Sequence, residues 1–583
     1  MSCFFCVIHN HIPTKRIEKF SSIHSSPIHK IQTDNFYFVA GGIAETCFVG
    51  SLDSTNGNSE NGYCVVGIGL KRYETYCSIL TNSDWKQILS SENIETELQN
   101  LDGHFAIVVW NGNEIKCFTD QLGLRTMYFS EIENGIVFST RLDWIAQASG
   151  NNEIDFETFG SRWFLFNQLS YGSCVKGITR LGANGSATFT SNSFSMKSEL
   201  WKPTFGEHNE EAFLSTLQAF VQPHIENEKT VSLGLSGGVD SRTLLSLLLS
   251  KQSKKFSVHT FGNSFHPDVI VAKIISESEK LEHVCFDEAF SAVDESVSLV
   301  REYAARNCVV EPISTAMRVR YYSQLRSQNK FVLDGGFGEI ARRQYFNRLL
   351  LRGRKFLLNG NGKEIFPFLR VNRAPIFRDE LLQTMKGEVE KEIESLWNQS
   401  PTIQEIGEEN FLDLLAVRTR FPNFGESEQS RMDSYVENYM PFAQPSFLQT
   451  VFSLSLNQRK NGKLFRKIIR EHSSSLAKLS LVKGATMYPF YFSTIPAAVF
   501  TKLKTKFGFA FRDESNVKFL FHIKEFILDT LYSNEVKTYS AYDYLFLEKS
   551  MTEFYKGKRE LVNVVDWWLS FELWRQSLKK NTL

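Results

Sequence analysis

The clearest hydrophobic signal is a short apolar run, Val231-Ser232-Leu233-Gly234-Leu235, bounded by turn formers. That pattern predicts a buried strand. A second run, Thr243-Leu244-Leu245-Ser246-Leu247-Leu248-Leu249, is too uniformly apolar for a surface helix and suits one packed on a sheet. Ahead of these, residues 105–110 read as a strand, Asn111-Gly112-Asn113 as a hairpin turn and 114–119 as the return. Residues 135–139 read as another strand, and the polar, glycine-rich 51–62 as a loop. Residues 202–210 read as a linker, and 211–221 as a helix leading into the buried strand. From there, strands at 256–261 and 330–333 alternate with helical stretches, the pattern of a parallel sheet with crossovers. Beyond 375 the pattern is almost all helical. It ends in an aromatic stripe from Trp567 to Trp574, which reads as core.

Length and composition narrow the class. A chain of 583 residues suggests more than one domain, and 42% hydrophobic content suffices for full cores. With 65 basic and 65 acidic residues there is no bulk attraction to nucleic acid or to an anionic membrane. No apolar run approaches a membrane span, and the N-terminus lacks a signal-peptide pattern. Nine scattered cysteines read as reduced thiols in a cytoplasmic protein. Cys3-Phe4-Phe5-Cys6 is formally a CxxC, but it lacks a partner pair and reads as two buried thiols on one strand.

Candidate chemistry enters between the strand and the helix, at Ser236-Gly237-Gly238-Val239-Asp240-Ser241. Adjacent glycines allow a tight turn with exposed N–H groups, and the helix start adds more, which together suit phosphate oxygens. Ser236 and Ser241 add hydroxyls. Asp240 would repel a bare phosphate, which suggests a divalent cation between them. The spacing fits neither a Walker A loop nor a GxGxxG. It resembles the pyrophosphate loop of enzymes that attack ATP at its α-phosphate.

Further stretches extend the likeness. Leu101-Asp102-Gly103-His104-Phe105-Ala106, Asp120-Gln121-Leu122-Gly123, Met127-Tyr128-Phe129 and Phe138-Ser139-Thr140 resemble the N-terminal domain of asparagine synthetase B. The resemblance continues through Thr260-Phe261-Gly262, Pro267-Asp268, Ile313 to Met317, Gly335 to Glu339, Val436-Glu437 with Pro441-Phe442, and Lys463 to Arg466. It covers nearly the whole chain in the family's order, a layout shared with β-lactam synthetases and lasso-peptide cyclases. It implies two domains in a mixed α/β and α+β fold. Residues 1–201 would form an Ntn-type αββα sandwich of glutamine amidotransferase kind. Residues 211–583 would form an adenine-nucleotide α-hydrolase-like parallel sheet with a helical C-terminal extension.

The same resemblance assigns residues. Ser236, Gly237, Gly238, Asp240 and Ser241 would hold the phosphates of ATP. Leu235, Phe261 and Gly335 would flank the nucleotide. Lys483, in Leu481-Val482-Lys483-Gly484, matches the family lysine on the departing pyrophosphate. Glu437 matches the glutamate before Pro-Phe; it orients a substrate amine or forms a helix-packing salt bridge. Arg466 has the same two readings, or touches phosphate. Asp240, Asp334 and Glu339 are the Mg²⁺ candidates.

Departures from the family pattern shape the expected function. Its glutaminase uses an N-terminal cysteine, whereas aligning Phe5, Val7 and Ile8 puts Ser2 there and Cys3 one place late. The family's Asn-Gly-Glu is missing from residues 63–73. Both losses point to a silent glutaminase, with Asp120 a structural remnant. The family's Ser-Gly-Glu-Gly-x-Asp-Glu is shortened to Asp334-Gly335-Gly336-Phe337-Gly338-Glu339, which argues against asparagine as product. Arg342-Arg343 follows, either pairing an acidic substrate or lying exposed. The expectation is a cytoplasmic ATP-dependent ligase that adenylates a small-molecule or peptide carboxylate and joins it to an amine or ammonia. Neither nucleic acid nor membrane is expected as partner, and the oligomeric state stays open, a homodimer being one option because relatives are often dimers. A true glutamine-dependent asparagine synthetase and an ATP-binding scaffold without catalysis stay open as alternatives.

Overall fold

The computed structural model describes residues 2–579 apart from 10–11, 24–26, 53–60, 112–113, 191–192, 207–208, 226–228, 251–254 and 287–289. The tip of the 111–113 hairpin, the middle of the 51–62 loop and part of the 202–210 linker lie outside the described residues.

The first 200 residues fold as two antiparallel sheets face to face, with helices outside. Strand Cys3–His9 shows why. Both faces are buried, so its side chains alternate between two cores rather than between core and water. Phe4 and Cys6 point to the inter-sheet core with Phe38, Cys64, Val108 and Trp110. Cys3, Phe5 and Val7 point outward, under helices Leu142–Ser149 and Phe156–Phe164. In the other sheet, strand Asn61–Arg72 pairs with all of strand Asp102–Asn111, from Asn61 opposite Asn111 to Leu70 opposite Asp102. The outer face of that sheet is covered by helix Asn82–Leu89, with Trp85 fully buried.

The second half carries a five-stranded, all-parallel sheet. Its order is Glu282–Phe286, Phe256–Phe261, Thr230–Gly234, Lys330–Leu333, Asn438–Tyr439. The expected strands at 256–261 and 330–333 are present, and the anchor run forms Thr230–Gly234 followed by helix Val239–Ser250. Chain order reverses between Thr230–Gly234 and Lys330–Leu333. This is a topological switch point, where such sheets open a crevice at the strands' carboxyl ends.

The two halves share packing. Strand Pro223–His224, past the linker, adds to the amidotransferase-like sheet through Cys77–Ile79. Trp574, in the C-terminal helix Val562–Leu578, stacks on Phe159 with ring centroids 5.6 Å apart. The aromatic stripe is therefore core, as its spacing predicts. Eight of the nine cysteines are buried and Cys285 is exposed. No helix among the described residues is long and apolar enough to cross a membrane.

Candidate active site

Three segments meet at the switch point: the turn after Thr230–Gly234, the loop after Lys330–Leu333, and a hairpin from far along the chain, Leu481–Lys483 with Thr486–Tyr488. Glycines let them touch. A Cβ on Gly237 would stand 2.2 Å from Val482 Cγ2, and one on Gly338 would stand 2.5 Å from Asp240 Cγ. The Val482 N–H donates to the Gly237 carbonyl at 2.8 Å, pinning the hairpin on the turn. Gly335 packs against the Ser241 backbone. Lys483, Asp240, Gly335 and Glu339, spread over 243 positions of sequence, are thereby brought together.

The turn is knitted internally. The Ser236 N–H donates to Ser241 Oγ (3.2 Å) and the Gly238 N–H to Ser236 Oγ (3.1 Å). The Gly237 N–H donates to Asp268 Oδ1 at 2.8 Å, a carboxylate oxygen where a phosphate oxygen would otherwise be held. Leu235 differs from expectation. Its N–H is engaged by the His259 carbonyl and its carbonyl by Thr260 Oγ1, both at 2.8 Å. It therefore has no N–H left for a nucleotide base. Phe261 ends the neighbouring strand, its ring stacked on Tyr321 at 5.6 Å.

Asp240 is gripped by Arg342, whose Nε and a terminal nitrogen reach one carboxylate oxygen each, both at 2.5 Å. Burial pushes Asp240 up to about 6 even against that guanidinium, with Glu339 adding to the rise. Asp334 accepts the Gly336 N–H at 2.7 Å, and burial with nearby Glu339 raises it too. Glu339 receives the Tyr345 hydroxyl at 3.5 Å. Lys483 reaches the same place from the hairpin; partial burial and then the Arg342 charge lower its pKa.

No three His, Cys, Asp or Glu side chains converge as metal ligands among the described residues. Both Asp240 oxygens are engaged by Arg342. Asp240, Asp334 and Glu339 are the carboxylates that would share a Mg²⁺ with the phosphates of a bound nucleotide.

Two other expectations move. Glu437 lies before strand Asn438–Tyr439, at the opposite end of the sheet from the crevice. It pairs with Lys229 at 2.8 Å, which also binds Glu45 at 3.1 Å. These residues line a separate cavity of about 720 Å³ with Asp84 and His224. The salt-bridge reading of Glu437 therefore describes it. Arg466 donates to the Phe490 carbonyl and so braces the hairpin region rather than the turn.

Glu428 is a residue that sequence reading misses. Pro422 interrupts a long helix with a π-helical turn, Phe421–Gly425, and the chain resumes as Glu426–Met432. That turn brings Glu428 near Asp334 and Glu311. Burial and those two carboxylates push it up to about 8, against Arg431 and Arg420. The available signal was a polar helix, Glu-Ser-Glu-Gln-Ser-Arg, inside an otherwise buried stretch.

At the amidotransferase-like end Ser2 is buried under the second half. Its hydroxyl donates to the Asp433 carbonyl at 2.8 Å, and its own carbonyl accepts Arg125 at 2.7 Å. A Cβ on Gly42 would stand 2.5 Å from Ser2 Cα. Asp120 accepts four backbone N–H groups, from Phe105, Leu122, Leu124 and Arg125, and so ties a turn together.

Comparison with known proteins matches this architecture. Residues 212–477 match the asparagine synthase family and residues 71–147 a glutamine amidotransferase domain, together more than half of the chain. The chain belongs to the asparagine synthetase-like superfamily. No curated protein matches it. Among solved structures it aligns with the glutamine phosphoribosylpyrophosphate amidotransferase from B. subtilis complexed with ADP and GMP. That alignment has 8% identity over 57% of this chain and 81% of that chain, TM-score 0.22. A structure described as the allosteric regulatory enzyme of purine biosynthesis aligns at 9% identity over 50% of this chain and 76% of that one, TM-score 0.22.

Proposed function

We propose that the chain is an ATP-dependent ligase that activates a carboxylate as its acyl-adenylate and passes the acyl group to an amine, without using glutamine. The convergence of the glycine turn, the 334–339 loop and Lys483 at the switch point carries this reading. A substrate carboxylate oxygen attacks the α-phosphorus, the bond to the β-phosphate oxygen breaks, and pyrophosphate leaves. Lys483 and Arg342 neutralise the charge that develops on the leaving group. The amine then attacks the acyl carbon, AMP departs, and the amine loses a proton. That proton passes to water. The excess of carboxylates beyond the turn (Asp334, Glu339, Glu428) favours a cationic amine as acceptor.

The test is pyrophosphate release from ATP with candidate carboxylates, with and without glutamine. Asp240→Asn, which loosens the hold on Arg342, and Lys483→Ala should each cut release about 10²–10³-fold, as for loss of one transition-state contact. Ser2→Ala should change nothing. Glutamate appearing from glutamine would overturn the silent-glutaminase claim. Unchanged release in the first two variants would overturn the site.

A second reading, an ATP-binding scaffold without turnover, is favoured by one observation: Asp268 already fills the Gly237 N–H and Arg342 already holds Asp240. ATP binding with no pyrophosphate under any carboxylate would select it.

A further inference from the structure

Helix Thr494–Lys506 is packed at few points. Ala497 is its one buried side chain, with Phe500 half-buried against Phe492. Ile495, Val499 and Leu503 recur at four-residue spacing, which puts them on one face, and Phe507 caps the row. All four are at least half exposed, as are the flanking Tyr491 and Phe509, the latter at 76%. Exposed apolar side chains gathered on one element mark an interaction surface.

Charge says what covers it. From residue 472 to 512 there is no Asp or Glu, while Lys478, Lys483, Lys502, Lys504, Lys506 and Arg512 lie in that stretch. The nearest carboxylates, Glu471 and Asp513, bound it, and Glu514 is paired with Arg559. Two copies meeting through this face would set lysine against lysine. A bound peptide would need a groove, and a helix exposed on nearly every side offers none. An apolar row interleaved with lysines suits a fluid anionic surface, with rings and aliphatic chains inserted and ammonium groups at the headgroups.

We infer that helix Thr494–Lys506 with its aromatic flanks seats this protein on an anionic lipid surface. The seat connects to the crevice. Lys504 Nζ donates to the Met487 carbonyl and the Phe511 N–H to the Ala485 carbonyl, so the helix rests on the Lys483 hairpin. Zero net charge for the whole chain is no obstacle, because the surface potential acts within a Debye length and therefore on this segment alone.

The experiment is sedimentation of the full chain with vesicles of equal parts phosphatidylcholine and phosphatidylserine, beside vesicles of phosphatidylcholine alone. Binding should favour the anionic vesicles and weaken with salt. Replacing Lys502 and Lys506 by Glu should weaken it by at least about twenty-five-fold, at roughly fivefold per lysine. Ile495→Asp with Leu503→Asp should abolish it while leaving circular dichroism unchanged. No binding to either vesicle overturns the inference, as does equal binding to both that ignores the lysine variant. A dimer in solution dispersed by the Asp pair, without vesicle binding, would assign the face to self-association instead. Vesicle binding and pyrophosphate release are read separately, so either claim can fail alone.

Discussion

Glu428 shows how burial sets chemistry one side chain at a time. Its carboxyl keeps a proton in the fold up to about 8, whereas in the unfolded chain it ionises near 4.5. Between those values the folded state binds the extra proton, so stability falls as pH rises through the window. The slope is at most ~1.4 kcal/mol per pH unit for one proton. Glu428→Gln removes this term. Its thermal midpoint should therefore decline less than that of the native chain between about 4.5 and about 8. An identical decline would mean that Glu428 titrates normally and has no special environment. Asp240 obeys the same logic lower down, near 6, because one guanidinium does not offset its burial. Asp240 and Arg342 lie 102 positions apart. Nothing in local pattern announces such a pair. Sequence reading therefore singles out both residues without joining them.

Among elements, legibility followed the strength of the local signal. The strand–turn–helix at 230–250 was readable because apolar run, paired glycines and apolar helix are each unambiguous and agree. The hairpin Leu481–Lys483 with Thr486–Tyr488 was not. Three-residue strands carry no periodicity, and the region reads as helical by its surroundings. Lys483 was placed by family likeness alone, and only the fold shows what carries it. Glu437 shows the limit of that method: its motif was recognised, but a motif fixes a position in sequence and not an end of a strand. The contact of turn and hairpin is itself testable. Gly237→Ala puts a methyl into Val482 and should cost about 1–3 kcal/mol by overpacking, loosening nucleotide binding. Val482→Ala removes the clashing methyls and should restore part of it. Purely additive effects in the double variant would show that the two elements do not press on each other.

The largest scale is where the halves meet, and Asp433 is the meeting point. It sits at the end of helix Glu426–Met432, yet its carboxylate pairs with His104 at 2.9 Å and Arg125 at 3.3 Å, both from the amidotransferase-like half. It also accepts Asn438 Nδ2 at 3.1 Å, at the start of the last strand of the parallel sheet. Its backbone carbonyl takes the hydroxyls of Ser2 and Thr46. Burial works to raise this carboxyl, but His104 and Arg125 outweigh it and hold it below the usual range. Ser2 is therefore tied into the contact between the two halves. Asp433→Ala leaves Arg125 buried without its counter-charge and His104 without its carboxylate partner, a change that costs about 3–5 kcal/mol in comparable pairs. Hydrogen exchange should then quicken in strand Asp102–Asn111 and in strand Asn438–Tyr439 together, because one carboxylate serves both sheets. Loosening confined to one of those strands would mean that the halves are neighbours that fold separately, and that the burial of Ser2 has no bearing on the ligase half.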